Sequence, residues 1–182
     1  MYCCFQLPFS SNKRVSMSVP YARPSIHERK FSSNLIEKTI QKVKLHFLSR
    51  NEPELAQLFE NVFPNTLDTT VYSFENDTFI ITGDIPAMWL RDSTNQVAPY
   101  MPLLNFDEKL KQMILGLIHR QAKCILSDPW ANAFKEKPDG PVSQWAFDDT
   151  VKPPVSNLVF ESKFELDSLA AFLKVTLFYT HS

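Results

Sequence analysis

Residues 83–103 read GDIPAMWLRDSTNQVAPYMPL, a stretch that breaks regular structure and then restarts it. Before it, Thr78 to Thr82 is β-branched or aromatic enough for a short extended segment. Gly83 to Pro86 ends that regularity and hands the chain to a helix that includes Asn95, Gln96 and Val97. Between Gly83 and Ser93 the sequence packs a Gly, two Asp, an Arg and a Trp into this junction, where exposed side chains favour binding. Trp89 offers a flat apolar face for the C–H side of a sugar ring, and Arg91 with Asp92 offers fixed donors and acceptors for two neighbouring hydroxyls. Taken singly, the same residues also fit a helix-start ion pair between Arg91 and Asp92 and a core position for Trp89. Asp84 and Asn95 flank the stretch, and Asp84 equally suits a cap for the following turn.

Working outward, helical periodicity dominates. Leu35, Ile36, Ile40, Val43 and Phe47 predict a helix over Asn34 to Ser49, with Asn34 and Glu37 as a capping box. Pro53 suits a helix start, and Leu55, Leu58, Phe59 and Val62 form a short stripe that ends before Pro64. Asn65 to Asn76 is polar and turn-rich. Asn105 and Glu108 make a second capping-box pattern, opening the clearest helix, with Leu110, Met113, Ile114, Leu117, Ile118 and Ile125 on one stripe. A long loop rich in Pro, Asp and Trp follows from Asp128 to Pro154, in which Asp128, Trp130 and Asn132 are a second group of pocket candidates. Ordinary turn chemistry of an Asp before Pro is the competing reading of Asp128. A last helix runs from about Glu161 to Tyr179, its stripe made of Leu166, Leu169, Ala170, Leu173 and Leu177. Asp167 lies beside that stripe, facing either a binding mouth or the flanking Lys163 and Lys174. About five helices, one minor extended piece and no repeated βαβ pattern make the class mainly α.

The 182 residues are 44% hydrophobic, enough for one domain with a core. Nineteen Lys and Arg against twenty Asp and Glu leave a net charge of -1, so no basic field draws nucleic acid or an anionic membrane. Cys3, Cys4 and Cys124 form neither a disulfide framework nor a metal-ligand spacing, and the four His are scattered singly. Met1 to Ser25 lacks the apolar run of about 7 to 15 residues that a signal peptide needs, and no window reaches the roughly 18 apolar residues of a membrane span. The expected organisation is a disordered head, 1–25, before a domain at 26–182.

The 83–103 string closely resembles the signature of glycoside hydrolase family 125. RPSIHERKFSSNLIE (23–37), LFENVFPNTLDTTV (58–71), ILSDPWANAF (125–134) and FESKFELDSLAAFLK (160–174) each resemble family blocks, in the family's order. Members of that family are exo-acting α-1,6-mannosidases on an (α/α)6 barrel, inverting and without metal. The resemblance therefore implies the N-terminal part of an (α/α)6 barrel, no cofactor, and a mannose-containing, N-glycan-type oligosaccharide as partner. It implies that Trp89, Arg91 and Asp92 line the subsite for the terminal mannose, with Asp84, Asn95, Asp128 and Asp167 as further substrate-binding candidates. The family's acid and base fall in blocks after the ELDS helix and are expected beyond Ser182, so neither role is assigned; Asp92, Glu165 and Asp167 are fallbacks. Twelve barrel helices with their loops need on the order of 350 to 450 residues, so a truncated, inactive barrel is expected, with a non-catalytic sugar-binding remnant or a shortened gene product as alternatives.

Overall fold

The computed structural model describes residues 18–139 and 156–181. Helix α1 spans Asn34–Ser49, as its periodicity predicts, and buries Ile36 and Ile40. Its cap is Ser33 rather than Asn34: the Ser33 side chain accepts from the Ile36 amide at 3.2 Å. Glu37, assigned to a capping box, instead receives Arg23 Nη2 at 2.7 Å and Arg29 Nη1 at 3.1 Å. Two guanidinium groups outcompete a single backbone N–H because both partners are charged.

Helix α2, Pro53–Val62, starts at its proline, whose missing N–H is an unpaired donor position in any helix. Of its predicted stripe only Phe59 packs inward: Leu55, Leu58 and Val62 are exposed, while Ala56 and Glu60 are buried and Lys44 pairs with Glu60. Phe59 stacks on Phe63 at 4.9 Å, and Phe63 meets Tyr100 edge-on at 5.3 Å, so the aromatic residues rather than the aliphatic ones seat α2. The turn-rich stretch that follows carries helix α3, Asn65–Thr69, and strand β1, Val71–Phe74. β1 pairs antiparallel with β2, Asp77–Ile80, in the register Val71↔Ile80 to Phe74↔Asp77. Neither element has a legible pattern of its own; each is held by buried anchors, Leu67 and Val71, that only the tertiary core supplies.

Strand β3, Met88–Trp89, runs directly into helix α4, Leu90–Val97, and a 3-10 segment, Ala98–Phe106, leads to helix α5, Glu108–Ser127. Asp107, not Asn105, caps α5, accepting from the Leu110 amide at 3.0 Å. The predicted stripe of α5 is the heart of the core: Leu110, Met113, Ile114, Leu117 and Ile118 are all buried. Strands β4, Ala133–Phe134, and β5, Val159–Glu161, join β3 in a sheet of order β3-β4-β5. The start of the expected last helix is thus strand; helix α6 begins later, at Leu166–Thr180.

The face that α6 buries also differs. Ser168, Ala171 and Val175 face inward, while Leu166, Leu173 and Leu177 of the predicted stripe are exposed. Small residues let α6 approach α4 closely enough for Thr94 Oγ1 to donate to the Ala171 carbonyl at 3.3 Å, an approach leucines at those positions would obstruct.

Residues 18–25 belong to the expected disordered head, whose earlier residues lie outside the described ones. Here Arg23 is buried, with Nε 2.8 Å from Asp68 Oδ2 and Nη2 2.7 Å from Glu37 Oε1, and Asn61 Nδ2 donates to the Pro20 carbonyl at 2.8 Å. The expected loop beyond residue 139 also lies outside the described residues, as does Ser182. No described helix is long and apolar enough to cross a membrane.

Candidate functional site

The site grows from the β3–α4 junction. Trp89 is the N-cap of α4 with extended backbone, φ −82° and ψ 140°, and the next amide, Leu90 N–H, donates to the Asn132 carbonyl at 3.1 Å. Asn132 is fully buried and bonds at four points. Besides that carbonyl, its N–H donates to Glu161 O at 3.3 Å, its Nδ2 donates to Glu161 Oε2 at 2.7 Å, and its Oδ1 accepts from Lys163 N at 3.1 Å. One residue therefore ties together three segments distant in sequence, the start of α4 through its backbone carbonyl and residues 161–163 through its side chain and N–H.

Glu161 is the centre of this frame. It accepts from Asn132 Nδ2, from Trp89 Nε1 at 3.2 Å and from Lys163 Nζ at 2.8 Å. Burial pushes its carboxyl up, but the hydrogen bonds from Lys163 and Asn132, the Lys163 charge and the Trp89 N–H outweigh it and leave the group below its usual range. Trp89 is half-buried, its edge committed to Glu161 and its ring T-shaped against Phe160 at 5.4 Å.

Beside this frame stands a charged cluster. Arg91 Nη1 reaches Asp167 Oδ2 at 2.9 Å and Glu165 Oε2 at 3.1 Å, and Arg91 Nε lies 3.7 Å from Asp92 Oδ2. Glu165 also accepts from Ser168 Oγ at 2.8 Å. The Arg91 guanidinium is held above its ordinary value, first by its hydrogen bond to Asp167, and that same bond is the leading cause that keeps the Asp167 carboxyl low. The side chains of Arg91 and Asp92 remain 38% and 40% exposed, so the pair is open to a ligand rather than sealed. Asp92 Oδ2 itself is buried and has no hydrogen-bond donor among the described residues, so the exposure of that side chain lies elsewhere on it.

The turn that presents these groups is braced from below. Gln121, fully buried on α5, donates through Nε2 to Leu90 O at 3.1 Å, Ser93 Oγ at 2.9 Å and Thr94 Oγ1 at 3.0 Å. Ser93 and Thr94 pass their own protons to the carbonyls of Trp89 and Ala171, so donors and acceptors run in one direction. Cys124, on the same helix, is buried and its thiol is pushed up to about 12, chiefly by burial, so it supplies no thiolate nucleophile.

The sequence candidates separate into two groups. Arg91, Asp92 and Asp167 meet in one charged cluster, while Trp89 and Asn132 meet at Glu161. Asp167 pairs with Arg91 and not with the lysines expected to flank it: Lys163 goes to Glu161 and Lys174 to Asn95 Oδ1 at 3.0 Å. Asn95 is thereby engaged in tying α4 to α6. Asp128 uses Oδ1 to accept from the Trp130 amide at 2.9 Å, the turn chemistry of its competing reading. Asp84 is exposed on the bend before β3, with no described partner for its carboxylate. Ser182, beyond which the acid and base are expected, is itself outside the described residues, so the structure places neither group. Glu161 and Lys163 escape the sequence reading because helical periodicity extends the last helix back to residue 161. A signal existed: Glu161, Lys163, Glu165 and Asp167 recur every second residue, the period of extended chain.

No group of three or more His, Cys, Asp or Glu suited to a metal ion occurs among the described residues. A cavity of about 280 Å³ between the hairpin and α5, bordered by Lys30, Asn76, Lys109 and His119, includes none of the candidates.

Residues 52–182 match the family model described as metal-independent alpha-mannosidase, GH125. The chain is 43% identical over 171 residues to the meiotically up-regulated gene 157 protein of Schizosaccharomyces pombe, covering 90% of this chain and 33% of that protein. It also superposes on a solved Streptococcus pneumoniae protein, from a family of metal-independent α-mannosidases and in a non-productive substrate complex with α-1,6-mannobiose. That match has a TM-score of 0.74 and 34% identity, over 84% of this chain and 34% of the other. The chain thus spans about a third of the length of the relatives it matches.

Proposed function

Because the chain belongs to the metal-independent α-mannosidase family GH125, with the fold of the N-terminal part of an (α/α)6 barrel, we propose that its β3–α4 junction is the part of a glycoside hydrolase that grips a terminal α-mannose. The observation that carries this is Arg91, fixed by Glu165 and Asp167 yet open to solvent, beside the part-exposed Asp92 side chain whose Oδ2 lies 3.7 Å from Arg91 Nε. A rigid donor next to a part-exposed carboxylate is what two adjacent sugar hydroxyls bind. Asp167 and Glu161 act as permanent anions that orient Arg91 and the Trp89 edge.

The finer activity follows as part of the same proposal: removal of terminal α-1,6-linked mannose from N-glycan-type oligosaccharides with inversion. Inversion needs a carboxylic acid and a carboxylate base about 6.5 to 9.5 Å apart, with the acid's proton affinity held up. The two site carboxyls with displaced affinities, Glu161 and Asp167, are both displaced downward. That direction argues against either as the acid; with the acid assigned to no described residue, the chain alone is expected to bind without turnover.

The test uses the full chain with methyl α-D-mannoside. At ten times Kd the ligand stabilises by about 1.4 kcal/mol, a rise in melting temperature of about 3 to 6 °C. Asp92→Asn abolishes the rise, while α-1,6-mannobiose stays uncleaved in excess chelator. A rise that survives in Asp92→Asn refutes the placement of the site, and turnover refutes the assignment of the acid to no described residue.

A further inference from the structure

The tip of the β1–β2 hairpin lies apart from the gripping site and carries chemistry of its own. Asn76-Asp77-Thr78 is the chain's one Asn-X-Ser/Thr triplet with X other than Pro, the pattern that accepts an N-linked glycan. Glu75 and Asn76 form the two-residue turn between the strands, and both are exposed. Asparagine suits such a turn for its backbone preferences alone, but here the surroundings single out its side chain. The turn is pinned beside it: Asn76 O lies 3.3 Å from His119 Nδ1, while Asp77 Oδ1 accepts from Arg120 Nε at 2.7 Å and Asp77 Oδ2 from Lys123 Nζ at 3.3 Å. The Asn76 side-chain amide makes no hydrogen bond among the described residues. Phe74, two residues earlier, is 45% exposed and shares with Asn76 the wall of the cavity of about 280 Å³ between the hairpin and α5. Small-molecule sites begin at roughly 300 Å³, so this cavity has room for about one sugar unit.

We propose that Asn76 is an N-glycosylation acceptor and that the first sugar of its glycan, an N-acetylhexosamine, folds back over Phe74 into this cavity. The apolar C–H face of a pyranose covers an exposed aromatic ring, and its N-acetyl and hydroxyl groups meet Gln112 and His119 on the α5 wall. The attachment is a group transfer from a lipid-diphosphate-linked oligosaccharide. Asn76 Nδ2 bonds to the anomeric carbon, the bond from that carbon to the diphosphate breaks, its electron pair leaves with the diphosphate, and the amide proton passes to a base of the transferring enzyme. Thr78, whose hydroxyl that enzyme reads, is 2% exposed and faces Gly116 in the folded chain. Transfer therefore precedes the seating of the hairpin on α5, and the exposed turn lets the hairpin seat with the glycan in place. For its compartment alone this inference rests on the proposed substrate: the lumen in which N-glycan-type oligosaccharides are built and trimmed also holds the donor and its transferase.

The experiment makes the full chain behind a cleavable secretory leader in eukaryotic cells and reads the mass of the lumenal chain, retained or secreted, before and after an amide-cleaving glycosidase. One glycan is expected, absent from Asn76→Gln and from Thr78→Ala and kept in Thr78→Ser. Trimmed to its first sugar, the glycosylated chain should melt about 2 to 4 °C above Asn76→Gln, and the same comparison in a Phe74→Ala background should show no difference. Lumenal chain without a glycan, or with one that survives Asn76→Gln, overturns the acceptor. A rise that is absent, or that persists with Phe74→Ala, overturns the seat over the ring. Neither readout involves the β3–α4 junction, so either failure leaves the reading of that junction standing.

Discussion

Gly116→Ala sets helix propensity against packing, and the geometry decides which wins. Gly116 lies inside α5, where alanine is favoured over glycine by about 1 kcal/mol. The β1–β2 hairpin, however, lies directly against that position. An added Cβ would stand 2.5 Å from Thr78 Oγ1, 3.0 Å from Thr78 N and 3.1 Å from the Asp77 carbonyl carbon. Rotation of Thr78 relieves only the first contact, and Thr78 is buried and β-branched, so its rotamers are few. The other two contacts are backbone, so helix and hairpin must separate by several tenths of an ångström. Overpacking costs about 1 to 3 kcal/mol, and the two backbone contacts put this site at about 2 to 3, leaving a net loss of about 1 to 2 kcal/mol after the propensity gain. For a chain of this size that lowers the melting temperature by about 2 to 8 °C, read by circular dichroism. Adding Thr78→Ala should recover part of the loss, as about 0.5 to 1 kcal/mol of coupling. A Gly116→Ala variant that melts at or above wild type would mean that the hairpin is not seated on α5 as described.

Two further outcomes follow from the frame around the site. Gln121→Leu removes the donor for three acceptors but also removes Oε1, a buried acceptor with no partner among the described residues, so the net loss should be about 1 to 2 kcal/mol. Urea unfolding should show a lower midpoint with unchanged slope, and mannoside binding should weaken; an unchanged midpoint refutes the bracing role. For Glu161 the folded-state proton affinity is depressed, so its contribution is complete above the ordinary value of 4.5 and disappears as the pH falls through the lower folded value. The stability gap between wild type and Glu161→Gln should therefore be constant near neutrality and close below pH 4.5. A gap that holds its size down to pH 3 would show that the three donors do not favour the ionised form.

The sequence alone determined the elements whose evidence is local. A 3.6-residue stripe marks α1 and α5, Pro53 marks the start of α2, and the Gly83–Pro86 break places Trp89, Arg91 and Asp92 at a helix mouth. Caps were legible only to within one or two residues, because Ser33 and Asn34, or Asn105 and Asp107, offer similar oxygens and only the backbone geometry chooses between them. What the tertiary structure decided is every relation that spans the chain. Trp89 meets Glu161 across 72 residues and Arg91 meets Asp167 across 76, and no local pattern specifies such pairings. The same holds for the buried face of α6. That helix is apolar on both sides, so periodicity cannot rank them, and close approach to α4 selects the side with the small residues. Local propensity acts through neighbours a few residues apart. Which charges and faces finally meet depends on the free energy of burying them together, which exists only once the chain has closed on itself.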